Sequence, residues 1–126
     1  MIQLIAAVFL VLHGLAHLLW LISGWDLAEI DGLPHRTTLF SGRIDIGANG
    51  MRLLGILWSI GAAGFLIAGL GLMFSTAWWW QAAIIAALYS LLLCVISWPE
   101  SRWGALINLA VIALLLVENS GGPAIG

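Results

Sequence analysis

Polar side chains in this chain are confined to short interruptions between long apolar runs. The first run, from about Ile2 to Ile22, holds no Arg, Lys, Asp or Glu. The second extends from about Met51 to Phe74, with Arg52 at its mouth. The third covers about Trp78 to Trp98 and is closed by Pro99, which cannot continue a helix. The fourth begins at about Trp103 and reaches Val117, extendable to Asn119. Crossing a hydrocarbon core takes roughly 20 helical residues. A membrane β-barrel would need alternating segments of about 10 residues, and these runs are continuous. Backbone groups in lipid must bond within their own segment, so the pattern predicts helices. The expected fold is all-α: one transmembrane domain over 1–126, a bundle of four spans at about 2–22, 51–74, 78–98 and 103–119. A structured loop, 23–50, joins the first two. The first run lacks a basic flank and a small-residue cleavage site and is too long for a signal peptide's apolar core, so it reads as a span.

Composition agrees with the pattern. Of 126 residues, 63% are hydrophobic and only 8% charged. A soluble domain carries about a quarter of its residues as charges. A nucleic-acid partner would require a basic face, and the chain has four basic residues, all arginine, against six acids. Arg36, Arg43 and Arg52 fall in or beside the first connection and Arg102 in the third. The positive-inside rule then places loops 23–50 and 99–102 in the cytoplasm and both termini outside an inner (plasma) membrane. Trp20, Trp25, Trp98 and Trp103 read as the interfacial belt on the cytoplasmic side, and Trp78, Trp79 and Trp80 as the opposite one.

Residues 23–50 interleave Asp26, Glu29, Asp31, His35, Arg36, Arg43 and Asp45 with apolar side chains. A connection of this length is expected to be structured or functional. It reads as a cap on the membrane surface, built of short helical or hairpin pieces and held down by pairing of its own opposite charges, Arg43 and Asp45 among them. The functional version of the same reading has the cap gate a pocket between the helices.

Chemistry requires polar groups at membrane depth. His13 and His17 stand one turn apart on the same face of the first helix. Their ring nitrogens lose water there and are expected to turn into the bundle. Counting at about 1.5 Å per residue from the cytoplasmic ends gives two polar layers. His13, Ser59 and Ser90 form the deeper one; His17, Cys94 and Asn108 form the shallower. Small residues recur every fourth position at Ala82, Ala86, Ser90 and Cys94, and again at Gly55, Ser59 and Ala63. Such rows suit close helix packing.

Several chemistries fit the histidine pair unequally. A metal site for Zn or Cu would take His13, His17 and Cys94, but the metalloprotease pattern needs Glu where Gly14 stands. Haem ligation needs imidazoles from facing helices, and the other spans have none. A proton relay would ordinarily add a membrane carboxylate. A Cys94–His nucleophile pair reads more simply as packing. The bland reading is interhelical hydrogen bonding of the imidazoles to Ser59, Ser90 or Asn108.

Certain strings also resemble a known group. His13-Gly14-Leu15-Ala16-His17-Leu18, Arg36-Thr37-Thr38-Leu39, Gly42-Arg43-Ile44-Asp45-Ile46-Gly47 and Met51 to Trp58 are similar to a family of small, uncharacterised bacterial four-helix membrane proteins. Ser97-Trp98-Pro99, Gly104 and Asn108 extend that likeness to nearly the whole chain. A looser analogy with DoxX-like proteins rests on four short spans. The resemblance implies the helix count and groups His13, His17, Arg43, Asp45 and Asn108 as a unit, without assigning them a chemistry.

The leading expectation is therefore a non-enzymatic membrane protein. It would bind a small apolar ligand or a partner helix in a polar pocket lined by His13, His17, Ser59, Ser90, Asn108, Arg43 and Asp45. No cofactor is expected on this reading. The alternatives are a metal- or haem-dependent redox protein built on His13 and His17, and a subunit of an oligomeric transporter. Expected partners are the lipid bilayer and a second copy or another membrane protein.

Overall fold

A computed structural model of the protein describes residues 2–120. The chain is mostly helical: α1 (Ile2–Ala16), α2 (Leu18–Gly24), α3 (Gly47–Met73), α4 (Trp79–Ile96) and α5 (Arg102–Ser120). Helices α1 and α2 form one rod, Ile2–Gly24, and this rod, α3 and α4 are each long and apolar enough to cross a membrane. α5 is not among these spans. It opens on Arg102 and carries Asn108 and Glu118 within its length. Three membrane-length rods are thus established; the expected fourth is not.

The boundaries differ from expectation in one informative place. α3 begins at Gly47, before Met51. At about 1.5 Å per residue its 27 residues extend roughly 40 Å, beyond the hydrocarbon thickness, so its first turn lies among the cap residues. Gly47 enters with φ +73°, a left-handed conformation that glycine adopts without strain, and its N–H is accepted by the Asp45 carboxylate at 2.9 Å.

α1 lies close against α3. A Cβ at Gly14 would meet Phe65 Cβ at 2.9 Å and the Ala62 carbonyl at 3.0 Å, so the two backbones come near because Gly14 has no side chain. The inward face of α3 is Leu54, Trp58, Phe65, Ala68 and Leu72. The small-residue row expected there, Gly55, Ser59 and Ala63, is not the packing face, since Ala63 is exposed and Ser59 only half-buried. On α4 the row is used: Ala86, Ser90 and Cys94 are all buried.

Two apolar clusters fill the interior. One gathers around Phe65, Leu72, Ala83 and Leu115. The other, at the cap end, gathers around Met51, Leu54, Trp58 and Leu93. At the Trp78 end, the Gln3 amide of α1 donates to Leu72 O and Ser75 Oγ, both at 2.6 Å, closing that end of the bundle.

Residues 25–46 form the cap, with a two-residue antiparallel ladder pairing Thr38 with Asp45 and Leu39 with Ile44. Its reversal passes through Phe40, Ser41 and Gly42, all left-handed. The cap is fastened to the helices chiefly through helix carbonyls. Phe40 N–H donates to Ile96 O at 3.1 Å, Trp25 Nε1–H to Arg52 O at 2.9 Å, and the His35 ring meets Ser23 O at 2.6 Å. Arg36 pairs with Glu100 at 2.6 Å, tying the cap to the α4–α5 turn. The expectation that cap charges pair with one another is corrected here. Among the described residues this is the one ion pair, and it leaves the cap; Arg43 and Asp45 are exposed and take part in no ion pair. Trp20 also departs from the expected interfacial belt: it turns inward and stacks on Trp58, with ring centroids 4.5 Å apart.

Candidate functional site

Both imidazoles of the first rod face inward. His13 is 8% and His17 3% exposed, while Ser90 and Asn108 are wholly buried. His13 Nε2 lies 2.9 Å from Asn108 Oδ1. Asn108 Nδ2 donates to Ser90 Oγ at 2.8 Å, and Ser90 Oγ lies 2.6 Å from His17 Nε2. His17 Nδ1 meets the His13 carbonyl at 2.8 Å. Three rods are joined by one ring of hydrogen bonds.

The partners fix the protons. An amide oxygen only accepts, so His13 carries its proton on Nε2. A backbone carbonyl only accepts, so His17 carries its proton on Nδ1. A neutral His17 then offers Nε2 as an acceptor, which Ser90 fills with its hydroxyl proton while receiving the Asn108 N–H. Every hydrogen bond in the ring has one donor and one acceptor, and no charge is needed. Closed networks of this kind fix side-chain orientation where water is scarce.

The two expected layers are therefore crossed: His13 pairs with Asn108 and His17 with Ser90. The cause is helix extent. The first rod ends at Gly24 and α4 at Ile96, which puts His17 and Ser90 at about 10 Å and 9 Å from their cap-side ends. Asn108, counted from Arg102, is also about 9 Å in. His17, Ser90 and Asn108 become level, and His13 reaches towards them from one turn deeper.

Of the other expected site residues, Cys94 touches the ring, with its sulfur 3.7 Å from Asn108 Nδ2. Ser59 stays outside because its hydroxyl bonds Gly55 O of its own helix at 3.0 Å. Arg43 and Asp45 lie on the exposed hairpin, away from the histidines. As for a metal, the described residues hold no group of three or more His, Cys, Asp or Glu placed to share an ion. Both Nε2 atoms that would ligate one are already engaged with Asn108 and Ser90.

Two spaces lie at this end of the bundle, and Trp58 borders both. The cavity directly beneath the cap, between Trp58, Leu39, Ser97 and Glu100, has a volume of about 30 Å³, enough for a water or two. A larger crevice of about 250 Å³ opens on the flank between the first rod and α5. Its floor includes His13, His17 and Ser90, and its mouth includes Leu19, Trp103 and Glu100. Trp58, Ser101 and Trp103 were not expected in the site. Ser101 alone left a signal: it precedes Arg102 as a helix-starting serine, and Ala105 N–H bonds its carbonyl at 3.0 Å. Its hydroxyl goes instead to Cys94 O, bracing the α4–α5 turn beside the crevice.

No family model, curated protein or solved structure matches this chain.

Proposed function

We propose that this is a four-span integral membrane protein that binds a small apolar or amphipathic ligand in the flank crevice between the first rod and α5, over a polar floor of His13, His17 and Ser90. The observation that carries the reading is the coincidence of a crevice of about 250 Å³ with the buried hydrogen-bonded ring of His13, Asn108, Ser90 and His17. An apolar opening with a few convergent polar groups is the usual form of a ligand site. Entry is from the side, since the cavity beneath the cap is small and the cap is fastened over it by hydrogen bonds to helix carbonyls. This differs from a gated pocket beneath the cap.

Treating α5 as the fourth span follows from its position. It packs along α4, inserts Asn108 between the other rods, and turns Leu106, Leu109, Leu114 and Leu116 outward. Nineteen helical residues extend about 28 Å, close to the thickness of the bilayer core. The cap and the α4–α5 turn lie together at one end, joined by Arg36 and Glu100. All four arginines belong to that end, which on the positive-inside rule is cytoplasmic. Membership of the small bacterial four-helix family belongs to this proposal as well.

The test is native mass spectrometry of protein released from lipid nanodiscs. The wild type is expected to carry a small amphipathic adduct. The Ala16→Trp variant, which fills the crevice from its exposed wall, is expected to lose it while keeping its helicity. An adduct-free wild type, or an adduct unaffected by the substitution, overturns the proposal.

A further inference from the structure

Beneath the cap two buried polar atoms have no hydrogen-bond partner: the indole Nε1 of Trp58 and the hydroxyl oxygen of Ser97. Trp58 is 3% exposed and Ser97 7%. Both line the small cavity beneath the cap. Trp58 also lines the flank crevice, and Trp20 and Glu100 border both spaces. Trp58 cannot readily swing away, because its ring is stacked on Trp20 and lies 5.3 Å from that of His17. Buried donors in folded proteins nearly always find an acceptor, from protein or from outside the chain. Here no acceptor of the protein lies within hydrogen-bond reach of Trp58 Nε1.

We infer that the crevice ligand bears a small uncharged oxygen-containing head, an alcohol or a carbonyl, which enters the cavity beneath the cap and accepts a hydrogen bond from Trp58 Nε1, with the Ser97 hydroxyl as its second partner. This rests on the binding proposal above and adds the chemical class. Size argues for it: a volume of about 30 Å³ takes one oxygen-bearing group and excludes a phosphate or a sugar. Charge argues for it too. The ionic side chains on that wall are Arg36 and Glu100, which neutralise each other at 2.6 Å. An anionic or cationic head would have to break that pair in a poorly hydrated space. The hydrocarbon part of the ligand then occupies the crevice, whose mouth meets the bilayer.

The experiment uses the full chain in nanodiscs and a set of octyl diazirine photoprobes ending in hydroxyl, carboxylate, trimethylammonium or methyl. Labelling is mapped by peptide mass spectrometry to the segments holding Trp20, Trp58 and Ser97. The hydroxyl probe is expected to label them roughly tenfold more than the methyl probe, the ratio one hydrogen bond to a buried donor supports. Charged probes are expected at or below the methyl level. Trp58→Phe should bring hydroxyl labelling down to the methyl level while methyl labelling persists, which also shows that the fold is retained. Ser97→Ala, a smaller change, should lower hydroxyl labelling a few-fold and leave methyl labelling unchanged. Equal labelling by hydroxyl and methyl probes means that water alone fills the cavity and overturns the head-group assignment, leaving crevice binding intact. Equal labelling by a charged probe, or hydroxyl labelling unmoved in both variants, overturns it likewise. If no probe labels these segments, the crevice reading falls with it.

Discussion

His17 takes with its ring the carbonyl that an unbroken helix would give to its own amide. Its Nδ1 bonds His13 O at 2.8 Å, and its backbone N–H turns to Gly14 O at 3.0 Å. Trp20 N–H in turn reaches His17 O at 3.1 Å, so the turn tightens to i→i−3 bonding where α1 ends and α2 begins. Competition of a side chain for a backbone group is a local cause of a helix break. The break and the binding floor are thus one feature: the bond that interrupts the helix also holds Nε2 towards Ser90.

Replacing His17 by Leu is expected to cost about 1–2 kcal/mol, the range of interhelical hydrogen bonds in membranes. The variant strands the Ser90 hydroxyl proton and frees His13 O for the regular amide bond. Equilibrium unfolding in mixed micelles measures the loss. With Ser90→Ala the double-mutant cycle should return a coupling of about 0.5–1.5 kcal/mol. A coupling near zero would mean that the 2.6 Å contact contributes nothing.

Asn108→Leu should destabilise more than Ser59→Ala. Asn108 serves His13, Ser90 and Cys94 together, and its loss leaves a buried ring N–H unpaired, at about 1–3 kcal/mol. Ser59 bonds only its own helix, and its removal should fall within about 0.5 kcal/mol of wild type. The same unfolding measurement decides the order, and a reversed order would contradict the network.

Much of this architecture was legible in the sequence. Continuous apolar runs announced the rods, and the rule that imidazoles in lipid need partners placed His13 and His17 inward beside Ser90 and Asn108. The pairing was not legible. It depends on where each helix ends, and Gly24, Gly47 and Ile96 shift the vertical register by two to four residues from the apolar boundaries. Ser59 departs from the expected site because a hydroxyl in a helix can satisfy itself on the carbonyl four residues back. Resemblance groups Arg43 and Asp45 with the site, whereas the short hairpin turns both to the surface. Trp58 gave no separate signal, since one tryptophan within an apolar run looks the same whether it faces lipid or core.

Gly14→Ala should lower stability by about 1–3 kcal/mol, because the new methyl meets Phe65 Cβ and a backbone carbonyl that cannot move aside cheaply. Gly104→Ala meets only the Cys94 sulfur, at 3.3 Å, and should be much milder. Thermal unfolding of the two variants side by side checks the difference; equal losses would contradict a close α1–α3 approach.

Glu100→Gln is expected to cost no more than about 1 kcal/mol, since Arg36 is half-exposed and pairs of that kind contribute little. Cap attachment rests instead on the hydrogen bonds that Phe40 N–H, Trp25 Nε1–H and the His35 ring make to helix carbonyls. Limited proteolysis of the variant should therefore leave the cap as resistant as in wild type. Rapid cleavage within 25–46 would show that the ion pair, and not these hydrogen bonds, holds the cap.

The inward hydrogen-bonded ring underlies both the binding floor and the ligand class, and ¹⁵N NMR of the imidazoles in nanodiscs tests it most directly. His35→Gln removes the one other histidine and leaves two rings to assign. The ring predicts different tautomers, with His13 protonated on Nε2 and His17 on Nδ1, each showing coupling or shifts of a hydrogen-bonded nitrogen. Two rings of the same tautomer, or two with the averaged shifts of freely exchanging imidazole, would contradict it.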